Sequence, residues 1–188
     1  MIRDRTVKGI LTFLYSRPDM LRILQAVEAL SLPDCWIGAG FIRNAVWDAL
    51  SGRPRASSWD DVDVIYFCRS DSHADRDQAI ERALQAVCPD VQWSVKNQAR
   101  MHLRNKDRAY TGTEDALRHW AERCTAIAAR HVGEAVELLT PFGVEDVLDM
   151  LVRPTPAFAS KMGIYRSRIE AEGWQRRWPS LLIDYSPP

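Results

Sequence analysis

The feature that most restricts how this chain can fold is a nearly continuous run of β-favouring residues, Val62 and Val64–Phe67. Neighbouring positions of a strand point to opposite faces, so an apolar run of this kind indicates a strand that is buried on both faces. Such a strand lies inside a sheet, and helices must cover that sheet. The chain has 188 residues, of which 46% are hydrophobic, enough for one domain with a sizeable core.

Apolar spacing predicts the elements around this central strand. Strands are expected at 35–37 and 91–95, with a hairpin formed by 125–131 and 135–139. Helices are expected, in chain order, at 7–14, 20–30, 41–50, 80–87, 96–122 with a break near 110–112, 144–151 and 160–175. The order predicts an α+β fold, in which a mixed β-sheet has flanking helices, an N-terminal helix pair and a C-terminal helical tail.

We expect a single domain with three parts. Residues 1–33 form the N-terminal helices, residues 34–153 the catalytic core and residues 154–188 a C-terminal extension. Trp174 and Trp178 lie in that extension, within the sequence WQRRWP, and are expected to cover the sheet edge rather than to form a basic and aromatic surface.

Charge and cysteine content narrow the function classes. The 25 basic and 25 acidic residues cancel, which disfavours binding of nucleic acid by bulk charge but leaves room for a local basic patch. The apolar runs are too short for a membrane span or a signal peptide. The four cysteines are far apart in sequence, so we expect neither a zinc site nor disulfides, but free thiols in a reducing cytoplasm.

Between the strand at 35–37 and the next helix lies the sequence Gly38-Ala39-Gly40. Glycines at such a turn let the backbone approach a ligand closely, and the positive end of the following helix suits a phosphate. Arg43 lies in the first turn of that helix and is close enough to contact the same anion. A tight turn without any ligand is the alternative interpretation.

Two aspartates, Asp61 and Asp63, stand at the front of the central strand. Residues i and i+2 of a strand share a side, so we expect the two carboxylates to project together. Like charges held together favour a cation, and Mg²⁺ (or Mn²⁺) is held by one or two carboxylates while phosphates supply other ligands. A phosphate-binding turn with such a site is the equipment for phosphoryl or nucleotidyl transfer. The alternative is that these aspartates are solvated or cap a turn.

The spacing Gly38-x-Gly40-x-x-Arg43, with aspartates about 20 residues later, also imitates a dinucleotide-binding fingerprint. Arg43 occupies the place of the third glycine, where its bulk would obstruct close packing of helix on strand. The acidic residues also precede the apolar run, whereas the dinucleotide-binding acid lies at the end of its strand. A dinucleotide-binding protein is therefore the lesser alternative.

The order Gly-x-Gly-Phe-Ile-Arg-Asn, then Asp-Ala-Leu-Ser-Gly, then Asp-Val-Asp resembles the polymerase-β-type nucleotidyltransferase superfamily, with a glycine–arginine helix similar to that of CCA-adding enzymes. The segments AGFIRNAVWDALSG, WSVKNQARMH, LLTPFGVEDVLDMLVRPTP and YRSRIEAEGWQRRWPSL further resemble the bacterial and fungal group described as nucleotidyltransferase family proteins. The resemblance implies transfer of a nucleoside monophosphate from an NTP to a hydroxyl acceptor, with release of pyrophosphate. The acceptor could be a small molecule, a protein or an RNA end.

The resemblance also implies site residues. The superfamily usually has a third carboxylate beside the strand of the paired aspartates, and Glu137 is the candidate for this metal ligand, which would also help to deprotonate the acceptor. The alternative places Glu137 on the solvent face of the hairpin. The implied nucleotide-binding residues are Gly38, Ala39, Gly40, Arg43, Asn44, Lys96, Asn97 and Arg100, the last three of which could equally form a solvated helix face. If Glu137 does not reach the metal, a catalytically weak nucleotide sensor or antitoxin-like module becomes the alternative function.

Overall fold

Five strands form the main sheet of the computed structural model, which describes Ile2, residues 4–53 and residues 59–188, with only the backbone at Asp60. The strands are β1 (Trp36–Gly38), β2 (Trp59–Tyr66), β3 (Val91–Asn97), β4 (Ala128–Val132) and β5 (Ala135–Leu139). Their spatial order is β3-β2-β1-β4-β5. The apolar run at 62–66 thus lies inside the sheet, as predicted.

The sheet is mixed, which confirms the predicted fold class. Strand β2 pairs with β1 in antiparallel and with β3 in parallel orientation. Strand β4 pairs in antiparallel orientation with both β1 and β5. Because β1 inserts between β2 and β4, the hairpin of β4 and β5 lies on the far side of β1 from the paired aspartates.

Helices precede and follow these strands. The N-terminal helix pair is α1 (Val7–Tyr15) and α2 (Pro18–Glu28), and α3 (Gly40–Leu50) follows β1. The remaining helices are α4 (Ala74–Val87), α5 (Gln98–Asn105), α6 (Thr113–Leu117), α7 (Glu145–Leu148), α8 (Met162–Glu172) and α9 (Trp174–Arg177). None of the helices in the described ranges is both long and apolar enough to cross a membrane.

The two faces of the sheet are covered differently. Val62, Val64 and Ile37 belong to the larger apolar cluster, together with buried residues of α1, α2, α3 and α4. Trp36 and Ile65 point to the other face, where a smaller cluster forms with residues of α6 and β4. Register places Asp63 opposite Gly38 on this second face.

The segment 96–122 is less helical than its apolar pattern predicts. Helix α5 ends at Asn105 and is followed by Lys106, whose φ of +56° is left-handed, and α6 has 5 residues. The structure also contains a two-stranded sheet that the sequence analysis did not predict. Strand β6 (Leu151–Val152) pairs in parallel with β7 (Leu182–Ile183), which ties the end of the chain to the segment after α7.

Candidate functional site

The turn between β1 and α3 has an unusual backbone. Ala39 adopts φ +55° and ψ −126°, a conformation that favours glycine and costs an alanine of the order of 1 kcal/mol or more. Its N–H donates to the carbonyl oxygen of Ile127 at 3.1 Å, and its own carbonyl accepts from the N–H of Arg43 at 3.2 Å. These bonds hold the turn in place where helix α3 begins.

The two glycines of this turn serve close packing rather than a positive φ. A Cβ at Gly38 would lie 3.1 Å from the indole ring of Trp120, and a Cβ at Gly40 would lie 2.9 Å from the side-chain amide nitrogen of Asn44. The strained conformation belongs to Ala39 between them. The glycine pattern therefore located the turn correctly, although the physical role of each position differs from the expected one.

Asp61 and Asp63 are brought to one place, but not by regular strand alternation. The pairing of β2 with β3 shifts register between Trp59 and Val62. Asp61 lies in this irregularity with φ +61°, a conformation that aspartate tolerates better than most residues. Both aspartates line the same cavity, so their predicted proximity holds while the predicted geometry does not.

The surroundings of Asp63 disfavour the charged form of its carboxyl group. Burial, and then the neighbouring charge of Asp61, raise the pKa of Asp63 from 3.8 to about 6. A hydrogen bond from the Ser94 side chain and the charges of Arg43 and Lys96 act in the opposite direction without overcoming this. A cation bound beside the two carboxylates would stabilise their ionised forms.

The cavity has a volume of about 380 Å³ and two walls. One wall is the start of α3 together with the paired aspartates. The other, called the C-terminal wall below, is formed by residues of the segment 168–178, which includes α9. The lining residues are Ala39, Gly40, Arg43, Asn44, Asp61, Asp63, Arg168, Glu172, Gly173, Trp174, Arg176, Arg177 and Trp178.

Arg43 is buried and mainly positions its neighbours. Its guanidinium donates to the hydroxyl of Thr125 at 2.6 Å and, through two N–H groups, to Oδ1 of Asn44 at 3.0 and 3.1 Å. The same guanidinium lies 4.3 Å from the ring centre of Trp174 and 5.1 Å from that of Trp47. Burial lowers its pKa, although an arginine stays protonated in proteins. These hydrogen bonds use three of its five N–H groups.

The donors at this place fit a small divalent cation. Asp61 and Asp63 offer carboxylate oxygens, the ligands that Mg²⁺ prefers. Within the described part of the chain, no group of three or more His, Cys, Asp or Glu side chains has metal-binding geometry. A metal held here would therefore depend on oxygens supplied by a bound phosphate.

The structure does not bring Glu137 to this site. Glu137 lies on β5, three strands away from β2, which corresponds to about 14 Å across the sheet. Its half-exposed carboxylate forms an ion pair with Arg130 at 2.7 Å. The expectation that Glu137 stands beside the paired aspartates is corrected by the strand order, because β1 and β4 lie in between.

Asn97 and Arg100 also lie outside the cavity. Both contact the buried carboxylate of Asp77: the Asn97 N–H donates to it at 3.3 Å, and the Arg100 guanidinium pairs with it. The Asn97 side chain further accepts the N–H of Cys68 at 3.1 Å. Lys96 turns its ammonium to Glu81 at 3.3 Å. Lys96 and Asn97 are the last residues of β3, which is longer than expected, and Arg100 lies on α5; all three contact other parts of the fold and do not line the cavity.

The C-terminal wall is the part of the site that sequence reasoning missed. Trp174 and Trp178 are buried against Trp47 of α3, with ring centres 5.8 and 5.1 Å apart. They therefore cover a helix and not the sheet edge. Arg168 is held by Glu122 at 2.7 Å and Glu172 at 3.1 Å. The concentration of arginine and tryptophan at 165–178 was the available signal.

Comparisons with known proteins show the family and the fold. The sequence profile of a family described as nucleotidyltransferase matches residues 25–183. A protein solved by NMR, which has the head domain of a CCA-adding enzyme, is 34% identical, with a TM-score of 0.88 over 98% of this chain and 99% of that one. No curated protein sequence matches the chain.

Larger enzymes share the fold at low identity. A Thermotoga maritima CCA-adding enzyme in complex with tRNA is 14% identical, with a TM-score of 0.56. A CCA-adding enzyme in complex with CTP is 12% identical, with a TM-score of 0.58. Each match covers 96% of this chain but 43% of the enzyme, so the chain spans less than half the length of either.

Proposed function

The chain belongs to the nucleotidyltransferase family whose profile covers residues 25–183, and on that premise we propose that it moves a nucleoside monophosphate from an NTP to a hydroxyl acceptor, releasing pyrophosphate. In this proposal Asp61 and Asp63 hold Mg²⁺ or Mn²⁺ together with the phosphates of the NTP. One observation carries the proposal. The start of α3, Asp61 and Asp63 line a single cavity of about 380 Å³.

The residues of the chain have separate tasks in this reaction. The first backbone N–H groups of α3 lack partners inside the helix and bind phosphate oxygens. Arg43 fixes the Asn44 side chain beside them. When bound, the divalent cation would activate the acceptor hydroxyl and neutralise charge on the leaving pyrophosphate. Asp61 and Asp63 would hold that cation through their carboxylate oxygens.

The net charge of the chain and its structural relatives guide the choice of acceptors to test. The chain has no net charge, which disfavours a long RNA acceptor held by its phosphates. One structural relative was solved with tRNA, so a short RNA end belongs in the acceptor screen beside small molecules and protein hydroxyls.

One observation favours a second function, in which the protein binds a nucleotide without turnover. Enzymes of the superfamily usually have a third carboxylate at the metal, and among the described residues none joins Asp61 and Asp63 in metal-binding geometry. Glu137 lies three strands away and cannot act as the base that deprotonates the acceptor. A nucleotide sensor or antitoxin-like module would need a cavity that binds a nucleotide but no third carboxylate.

The test measures thermal stability and pyrophosphate release with each of the four NTPs and Mg²⁺ or Mn²⁺. Wild type is compared with Asp63→Asn, and Glu137→Gln serves as a matched carboxylate control outside the cavity. A ligand at 100 times its Kd stabilises the native state by about 2.7 kcal/mol. We expect metal-dependent stabilisation in wild type and Glu137→Gln, and its loss in Asp63→Asn.

The outcomes separate the two functions. Pyrophosphate release that needs an acceptor from the screen identifies the enzyme. Stabilisation without release by any acceptor favours the sensor. Folded wild-type protein that no NTP stabilises would rule out both, since both need nucleotide in this cavity.

A further inference from the structure

The C-terminal wall of the cavity is rigidly attached to the phosphate-binding turn. Trp174 stacks on the Arg43 guanidinium at 4.3 Å. Trp178 donates through Nε1 to Oδ1 of Asp48 on α3 at 2.9 Å. Both indoles are buried, so they hold α9 in place and offer no free ring face to a nucleobase. The exposed side chains of α9 are therefore what a ligand would meet on this wall.

This wall carries three arginines, one on α8 and two on α9, and two of their charges are already paired. Arg168 is bound by Glu122 and Glu172. Arg177 is bound by Asp48 at 2.8 Å. Arg176 is different, because no carboxylate of the described residues lies within ion-pair distance of it, although it lines the same cavity.

The absence of a side chain at Gly173 leaves space for the Arg176 guanidinium. Helix α8 ends at Glu172 and is followed by Gly173 with φ +56°, a left-handed conformation that favours glycine. The Arg176 guanidinium folds back over this glycine, where any Cβ would collide with it. Among the described residues of the C-terminal wall, Arg176 is thus a guanidinium without a carboxylate partner, opposite the wall formed by Asp61, Asp63 and the start of α3.

We propose that Arg176 binds the β- and γ-phosphates of the donor NTP, the part that leaves as pyrophosphate. This inference rests on the proposed function. The α-phosphate must lie at the paired aspartates, because the new bond forms there, so the rest of the triphosphate extends to another wall. A guanidinium fork matches phosphate oxygens in shape and charge. The buried tryptophans exclude base stacking as the task of this wall.

The test measures direct binding, so that no acceptor is needed. Three ligands are titrated in the presence of Mg²⁺: an NTP analogue that cannot be cleaved between the α- and β-phosphates, the matching NMP, and inorganic pyrophosphate. The variants are Arg176→Ala and Arg176→Lys, with Arg166→Ala as a control for an exposed arginine of α8 that does not line the cavity. Circular dichroism and Tm confirm that each variant is folded.

We expect Arg176→Ala to weaken binding of the NTP analogue and pyrophosphate about tenfold, as expected for loss of one charge-assisted contact. Binding of NMP should not change, Arg176→Lys should lie in between, and Arg166→Ala should match wild type. Equal affinity of wild type and Arg176→Ala for the NTP analogue would overturn this inference alone, as would an equal loss for NMP. If wild type bound none of the three ligands, the proposed function would fail together with it.

Discussion

Replacing Asp63 with asparagine should stabilise the protein in the absence of metal and nucleotide. Burial and the charge of Asp61 raise the pKa of Asp63 from 3.8 to about 6. A carboxylate whose pKa rises on folding destabilises the folded state once it is ionised. Each pKa unit corresponds to about 1.4 kcal/mol, so a rise of about two units corresponds to about 3 kcal/mol. Asparagine carries no charge and is free of this cost.

The effect should depend on pH in a defined window. Well below pH 3.8 the carboxyl group of Asp63 is protonated in both the folded and the unfolded chain, and the variant gains no stability. The free energy of unfolding of wild type falls relative to the variant as the pH rises from about 4 to about 6, and the difference is constant above that range. We expect a gain of about 1 to 3 kcal/mol for Asp63→Asn at pH 8.

The assay is urea unfolding of wild type and Asp63→Asn with EDTA at pH 4, 6 and 8. Asp61→Asn is the matched control, because asparagine also tolerates the positive φ of Asp61. It removes the second cause of the raised pKa but leaves the burial of Asp63, so its gain at pH 8 should be smaller. A destabilised Asp63→Asn, or a gain of equal size at pH 4 and pH 8, would refute the reasoning.

Three other changes test other parts of the structure. Ala39→Gly should raise the free energy of unfolding by about 1 kcal/mol in urea titrations, because glycine adopts φ +55° without strain; a loss of stability would contradict the strained turn. Glu137→Gln should change the free energy of unfolding by less than about 0.5 kcal/mol and leave nucleotide binding intact, since its ion pair with Arg130 is exposed; weakened metal-dependent binding by calorimetry would restore Glu137 as a ligand. Arg100→Ala should cost about 2 kcal/mol in thermal or urea unfolding, because buried Asp77 loses a charged partner, yet the folded variant should bind NTP like wild type.

The local parts of the site could be predicted from sequence. Gly38, Gly40, Asp61 and Asp63 lie within 26 consecutive residues of the chain, and a short strand, a turn, a helix and a second strand can bring them together in few ways. The central position of β2 followed from residues that are apolar at neighbouring positions. Apolar periodicity is a local property, and it located these elements without knowledge of their partners.

Other details of the same region could not be predicted from the sequence. The strain at Ala39 and the irregular register at Asp61 do not alter the hydrophobic pattern. The role of Asn97 and Arg100 was also hidden, because the buried partner Asp77 lies on α4, about 20 residues earlier. Sequence spacing of charged residues does not distinguish a pocket from an internal ion pair.

The sequence by itself determined the α+β class, the turn between β1 and α3 and the proximity of the paired aspartates, because each depends on residues that are close along the chain. Only the tertiary structure decided which distant residues share the cavity. Because β1 lies between β2 and β4, Glu137 is too far from Asp61 and Asp63 to share their cavity. The packing of Trp174 and Trp178 on α3 places Arg176 at the wall of that cavity. Strand order and helix docking depend on the shape and burial of surfaces far apart in sequence, which periodicity does not encode.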